Sequence, residues 1–359
     1  MRFRSHINIF LLMVMVSMNA EAQIAGANIG TPSLVKVSFA ELPNWNHSKA
    51  RLAMKSLHNS CSIAKNAPPK AYGMTMTLGA WNALCHDILR KDIKKAKTTF
   101  EQYFDPFKVQ IAGDETGKGL LTGYYTPMLN GSLVRDENHQ VPIYGLPNLR
   151  EDKNAFTRTQ INAGALNDKA EVIIWINDEI EAFFLHIQGS GYVNLPDGST
   201  KKLVFAGKNE KPYTAIGKQF VEQGIVKPED LSMQWLKNWL RTNPDQAQNV
   251  MQSNDSYIFF SLENVNNNVR GAESTPLTPM ASVAIDPQYI SYGLPIYVNS
   301  GQFSTLAIAQ DTGSAIKGAM RADLYSGVGK KAGAFAGKLK AKADFYLLYP
   351  RQSSLGVGY

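Results

Sequence analysis

The sequence predicts a mainly β protein with peripheral helices and a second, smaller β domain inserted into the first. Three observations predict it. From about residue 107 onward, short apolar runs alternate with Gly, Pro, Asn and Asp turns. Strand-rich sequence returns after residue 257, on the far side of a stretch with strands of its own. Helical periodicity is confined to 45–104 and 212–240. The chain has no internal repeat and no long low-complexity segment.

The first element is not part of a fold. Arg2 and Arg4 precede an apolar run from Ile7 to Met18, too short to span a bilayer comfortably. Ala20-Glu21-Ala22 follows, the small-x-small pattern at which secretory signals are cut, leaving Gln23 first. A buried N-terminal helix is the alternative. The nearest cysteine to that cut is Cys61, so a lipid anchor is not expected. Next, Trp45, Leu52, Leu57, Ile63, Trp81, Leu84, Ile88, Ile93 and Phe100 follow a loose helical period. Lys91 to Lys97 supplies a solvated face, and Pro68-Pro69 divides the region into at least two helices.

Strands are expected at 107–111, 120–125, 172–176 and 183–187. Pro196-Asp197-Gly198 forms a turn between the 191–194 segment and a strand at Leu203-Val204-Phe205. A helix capped near Ser232 presents Met233, Trp235, Leu236, Trp239 and Leu240 on one face, and Pro244 stops it. Strands resume at 257–261, 281–285, 295–298, 306–310 and 345–349. A barrel would remove open edges from such a protein, although pattern alone does not say which barrel.

Composition narrows the chemistry. The formal charge of +7 falls to about +6 once Arg2, Arg4 and Glu21 are removed with the signal. Mild basicity suits an anionic wall polymer or lipid head groups, and export argues against nucleic acid. Cys61 and Cys85 are the only cysteines. They can pair in an oxidising compartment or remain buried thiols, and without nearby histidines they make no zinc site. No P-loop and no His-Glu-x-x-His pair is present. Gln188 precedes Gly189-Ser190-Gly191 and breaks the nucleophile elbow; Lys330, Lys331 and Ala332 after Gly327-Val328-Gly329 break the dinucleotide spacing.

Four segments carry the chemistry: 121–127, 183–191, 276–287 and 307–325. In the last, an apolar strand ends at Gln310, and Asp311 is followed at once by Thr312, Gly313, Ser314 and Ala315. A carboxyl at the end of an apolar strand can be partly desolvated, which keeps it protonated at neutral pH. Small neighbours leave room for a bulky polymer. Asp-x-Gly is also common turn chemistry, and spacing alone favours a turn. Tyr124 and Tyr125 offer flat faces suited to sugar rings, although alternation on a strand sends one of them into the core. Gln188 and Ser190 supply directional hydrogen bonds, and Gly123 and Gly189 permit close backbone approach.

At these residues the chain resembles the membrane-bound lytic murein transglycosylase A family. The resemblance runs from roughly Gly119 to Tyr349 and rests on four elements in the family's order. They are Gly-Tyr-Tyr, Phe-Phe-Leu-x-Ile-Gln-Gly-Ser-Gly, Pro-Leu-Thr leading to Ala-Ser-Val-Ala-x-Asp, and Asp-Thr-Gly-x-Ala-Ile-Lys-Gly with Asp-Leu-Tyr after it. It implies a double-psi β-barrel catalytic domain from 23–128 and 244–359, with its N-terminal helices, after a signal peptide at 1–22. A β domain at 129–243 is inserted and forms the other wall of a glycan groove.

The resemblance also implies cleavage of the β-1,4 bond between N-acetylmuramic acid and N-acetylglucosamine, without water and without a cofactor. Asp311 is the implied acid and then base, with Asp286 and Asp323 supporting it. Thr122, Gly123, Tyr124, Tyr125, Gln188, Gly189, Ser190 and Lys317 are the implied substrate-binding residues. The implied partner is the peptidoglycan glycan strand, met in the periplasm by a monomer with at most peripheral outer-membrane association. Ser314 departs from the family's second glycine, and the absent lipid-attachment cysteine departs from its membrane anchoring. A non-catalytic glycan-binding protein and an ordinary hydrolase of the same bond are the competing functions.

Overall fold

The computed structural model describes residues 30–47, 49–114, 116–147, 156–228, 230–265, 269–313 and 316–351. The expected signal peptide at 1–22 and Ser314 lie outside the described residues. In chain order, β1 (Pro32–Lys36) leads to helix α1 (Ala50–Cys61), the short β2 (Lys70–Ala71) and β3 (Met74–Thr75), then α2 (Leu78–Leu89) and α3 (Ala96–Tyr103). Strands β4 (Phe104–Ile111), β5 (Gly119–Thr126), β6 (Met128–Ser132) and β7 (Val141–Tyr144) follow. Next come α4 (Arg158–Asn162), β8 (Val172–Ile176), α5 (Glu179–Gln188), β9 (Ser190–Asn194) and β10 (Thr200–Lys208). Helices α6 (Ile216–Glu222), α7 (Met233–Thr242) and α8 (Pro244–Gln252) precede β11 (Ile258–Asn264). The last elements are β12 (Ser282–Ala284), β13 (Pro295–Asn299), β14 (Ser304–Asp311), β15 (Arg321–Val328), α9 (Gly329–Lys338) and β16 (Lys340–Pro350).

Sheets dominate, as expected. The larger has the order β1-β4-β16-β13-β14-β12-β15-β5, and β5 also pairs with β16. Strands β16, β13, β14, β12, β15 and β5 therefore form a closed hydrogen-bonded circuit, which leaves none of them with an unpaired edge. Strands β13 and β14 are buried along almost their whole length rather than on alternate residues. Helix α1 packs on β14, and both faces of the two strands are apolar, including Ile296, Val298, Leu306 and Ile308. Cys61 and Cys85 are joined, fixing the end of α1 to α2.

The second sheet has the order β11-β10-β9-β6-β8-β7 and a core of its own around Leu129, Ile174, Val193, Leu203 and Phe260. Because β11 pairs along β10, this sheet continues to Asn264, beyond the residue 243 at which the inserted domain was expected to end.

One expectation fails locally, and another is incomplete. Phe183 to Ile187 is not a strand but the body of α5. Asp178 caps that helix, its Oδ1 accepting from Ile180 N (2.9 Å) and Glu181 N (3.0 Å), and Glu179 and Glu181 sit in the favourable first turn. Leu185 packs into the second sheet, whereas Phe183, Phe184 and Ile187 pack against α6, α7 and α8. A helix covered on both sides shows no polar stripe, so its sequence reads as a continuous apolar run. Pro244 does end α7, but it also opens α8 from the first turn, where the missing N–H costs nothing.

The disulfide closes a loop of 24 residues in sequence. Its removal should cost about 3 kcal/mol, chiefly through the unfolded chain. Thermal melts of the oxidised protein and of a Cys61→Ala, Cys85→Ala double variant test this. Coincident melts would show that α1 needs no covalent tie.

Candidate active site

Strand β14 is apolar and buried up to its end, where the chain places first Gln310 and then Asp311, both 0% exposed. The pairing of β14 with β12 is irregular here: register shifts between Val283 and Ala284, and Ala284 lies opposite Asp311. Such a bulge re-aims a side chain at a strand end. The Asp311 carboxyl accepts the Tyr124 hydroxyl on Oδ2 (2.7 Å). Its Oδ1 accepts the amides of Ala272 and Thr312, each at 2.9 Å. Burial pushes the Asp311 carboxyl up to about 6, against the downward pull of these three donors.

Register explains the next layer. Strands β5 and β15 are parallel, with Thr122 opposite Asp323 and Tyr124 opposite Tyr325. Side chains two apart share a face, so Thr122 and Tyr124 project on the same side as Asp323 and Tyr325. Thr122 Oγ1 donates to Asp323 Oδ1 (2.7 Å) and accepts from Arg321 Nη1 (2.9 Å). Asp323 Oδ2 and Arg321 Nη2 are buried without a hydrogen-bond partner among the described residues. Burial raises Asp323 to about 6; the Arg321 guanidinium and Thr122 pull it down, and the charge of Asp311 pushes it up again. The charge of Asp311 is thus one of the influences that keep Asp323 protonated, after burial.

Tyrosines surround the pair. The Tyr124 and Tyr325 rings lie 5.2 Å apart, and Tyr192 from β9 joins them, so the second sheet contributes to this wall. The Tyr292 phenol is pushed up to about 12, by burial first and then by the charge of Asp311.

The structure divides the residues expected at the site. Asp311, Asp323, Thr122 and Tyr124 converge. Thr122 does so as a partner of Asp323 rather than as an open groove residue. Asp286 is buried, and its Oδ2 accepts the Gly318 amide at 2.8 Å, which ties down the loop leaving Asp311. Lys317 is exposed on that loop. Gly123 faces α9, where an added Cβ would lie 2.9 Å from Ala336 Cα, so packing alone already requires glycine there.

Tyr125 points to the opposite side of β5 from Tyr124. Its hydroxyl meets Met233 Sδ at 3.5 Å, and Gln188 Nε2 approaches the same sulfur at 4.0 Å. Tyr125 and Met233 line a cavity of about 570 Å³ with Glu181, Lys237, Arg241 and Lys330. Gly189 closes α5 at φ 74°, and Ser190 is buried at the start of β9.

Sequence pattern missed several contributors. Tyr325 and Arg321 were discoverable, because they share parity with Asp323 along one strand. Tyr192 and Tyr292 gave no such signal. The Ala272 amide could not be found at all, since a main-chain donor leaves no residue signature.

Asp311 has a definite cost for the fold. Unfolded aspartate titrates near 3.9 and folded Asp311 at about 6, so the folded state holds its proton more tightly. Ionisation of Asp311 therefore opposes folding fully above its folded value, and that penalty disappears as the pH falls towards about 4. Asp311→Asn should accordingly stabilise the fold at pH 7 by up to about 3 kcal/mol, with the gain vanishing near pH 4. Its amide can still accept Ala272 and Thr312 and donate to Tyr124. Urea unfolding at the two pH values measures this; equal stability of variant and parent at pH 7 would contradict it.

Comparison with known proteins matches residues 120–261 to the MltA specific insert domain and 281–349 to the 3D domain. The membrane-bound lytic murein transglycosylase A of Escherichia coli is 37% identical over 237 residues, covering 62% of this chain and 64% of that protein. The alignment thus falls short of two thirds of that relative's length. The Vibrio cholerae protein of the same name is 35% identical over 251 residues, covering 65% of this chain and 67% of its own. The crystal structure of MltA from Neisseria gonorrhoeae superposes with a TM-score of 0.75 at 32% identity, covering 90% of this chain and 94% of that one. E. coli MltA with bound chitohexaose superposes with a TM-score of 0.68 at 27% identity, covering 90% and 96%. In fold, in the order of its segments and in these likenesses, the chain belongs to the membrane-bound lytic murein transglycosylase A family.

Proposed function

We propose that this protein is a peptidoglycan lytic transglycosylase, which cleaves the β-1,4 bond between N-acetylmuramic acid and N-acetylglucosamine and leaves 1,6-anhydro ends. The observation that carries the proposal is the Asp311 carboxyl, buried to about 6 yet held by three donors. A carboxyl near that value exchanges its proton readily at neutral pH. Asp311 gives its proton to the glycosidic oxygen, releasing the N-acetylglucosamine side as an alcohol. It then takes the proton of the muramic C6 hydroxyl as that oxygen bonds to C1. The proton count closes with no water consumed. The nucleophile is tethered within the sugar, so proximity does the work that a second carboxylate does in a hydrolase. The bound chitohexaose of the E. coli relative supports a glycan strand as the substrate.

The same proposal makes the six-strand circuit a double-psi β-barrel and the second sheet the far wall of a glycan groove. Tyr125, Gln188, Gly189, Ser190 and Lys317 then flank the strand, while Asp286 and Asp323 support Asp311. Export by the 1–22 segment delivers the enzyme to the periplasm. Because Asp311 is fully covered, the bound glycan must displace a neighbour to reach it.

Hydrolysis is the second reading, and Asp323 favours it as another buried carboxyl beside Asp311. Digestion of purified sacculi separates the two. Mass spectrometry should find anhydro-muropeptides from the parent and at least a hundredfold fewer from Asp311→Asn or Asp311→Ala, on the order of the loss when a catalytic acid is removed. Reducing muramic ends, heavier by one water, would favour hydrolysis, and undiminished release would eliminate Asp311 as the acid.

A further inference from the structure

We infer that Glu273 and Lys65 are positioning residues for Asp311: their buried ion pair fixes the 269–277 segment so that the Ala272 amide reaches the carboxyl. The inference rests on the proposed role of Asp311 and adds to it two residues remote in sequence from the catalytic strand.

The segment is a tight turn laid across the end of β14. Gly271 N donates to Thr275 O (3.1 Å), Ser274 N to Gly271 O (2.8 Å) and Leu277 N to Val269 O (2.7 Å). Ser274 occupies the left-handed region at φ 66°. Glu273 N donates to Gln310 O (3.0 Å), and an added Cβ on Gly271 would fall 2.3 Å from that oxygen. The turn therefore lies against the strand with no room for a side chain, and Ala272 between these two residues meets Asp311.

One main-chain bond to Gln310 seats the turn on the strand, and the side-chain anchors that hold it there lie underneath. The Glu273 carboxylate accepts Ser60 Oγ (2.5 Å) and Thr275 Oγ1 (3.0 Å) on Oε2. Its Oε1 pairs with Lys65 Nζ, the two side chains being 2% and 12% exposed. Lys65 also donates to Tyr292 O at 3.1 Å, so one ammonium joins the turn to the connection between β12 and β13. Gln310 completes the platform, its Nε2 donating to Ser56 O (3.0 Å), Ser60 Oγ (2.9 Å) and Thr275 Oγ1 (3.0 Å). A buried pair broken on one side leaves an uncompensated charge, so the loss of either partner moves the turn.

The sign of the effect on Asp311 identifies the cause. Around its carboxyl stand Tyr124 from β5, Asp323 and Tyr325 from β15 and Tyr292 from the connection before β13, with Glu273 and Lys65 behind the turn. The Ala272 N–H favours the carboxylate, so its departure raises the value at which Asp311 titrates. Removal of the negative charge of Glu273, acting directly through space, would lower that value.

The full chain carrying Glu273→Gln should lose roughly tenfold to a hundredfold in kcat on soluble glycan fragments. KM should stay within about twofold. The alkaline limb of its pH profile and the carboxyl NMR titration of Asp311 should both move to higher pH. Lys65→Met should behave alike, and Lys65→Arg should restore most of the rate. Parental kcat with an unmoved or lowered Asp311 titration in Glu273→Gln would overturn the inference, as would a rate loss with the titration unmoved. If Glu273→Gln fails to fold, Ser60→Ala, which removes a donor to the Glu273 carboxylate without changing any charge, carries the same readouts. If the parent releases no anhydro products, the proposed reaction falls, and the NMR titration still decides the positioning role.

Discussion

A single carboxyl, sealed at the end of an apolar strand, sets the terms for the rest of the molecule. Covering Asp311 completely drives it towards the neutral acid, and three donors hold it back at about 6. Either influence alone would spoil it: burial without donors would freeze the proton in place, and donors without burial would give an ordinary, permanently ionised aspartate. Each donor comes from a different part of the chain. Tyr124 requires the parallel register of β5 on β15, Thr312 follows directly in sequence, and Ala272 requires a turn pressed against Gln310. The closed strand circuit is what brings these parts to one point.

Asp323 makes the balance collective. Its Oδ1 is satisfied by Thr122, and among the described residues its Oδ2 and the Nη2 of neighbouring Arg321 have no hydrogen-bond partner. Arg321 spends its Nη1 on Thr122 and main-chain carbonyls rather than on the carboxylate. Its positive charge therefore moderates Asp323 from a distance instead of neutralising it. The proton affinity of Asp323 consequently depends in part on the charge of Asp311, after burial, Arg321 and Thr122 have acted on it.

Much of this was legible in the sequence, because strands announce themselves by apolar runs and turns. Asp311, Asp323 and Tyr124 stood in segments with an order of their own. The failures have physical causes. Helix α5 was mistaken for a strand because it is buried on both sides, which erases the polar stripe on which periodicity depends. For Gly123 and Thr122, expected at the glycan, the pattern does not separate ligand contact from packing, since close approach and hydrogen bonding serve both. Only the positions of Ala336 and Asp323 show the internal partner of each. The platform of Ser56, Ser60, Lys65, Glu273, Thr275 and Gln310 joins residues more than 200 apart in sequence, and no local pattern encodes such a meeting.

The three donors to Asp311 are not equivalent in how they can yield. Ala272 and Thr312 present main-chain amides: the turn carrying Ala272 is fixed to Gln310, and Thr312 is fixed to Ile285 O through its hydroxyl at 2.9 Å. Both grip Oδ1. Among the described residues, Oδ2 is held by the phenol of Tyr124, a side-chain donor whose ring is buried against Tyr325 and whose departure would break no backbone bond. A glycosidic oxygen taking the place of that phenol would cost one hydrogen bond and recover another, close to an even exchange of about 1 kcal/mol each way. Under the proposed reaction, then, the covered state of Asp311 is a resting state. The framework keeps one oxygen fixed so that the other is free to change partners.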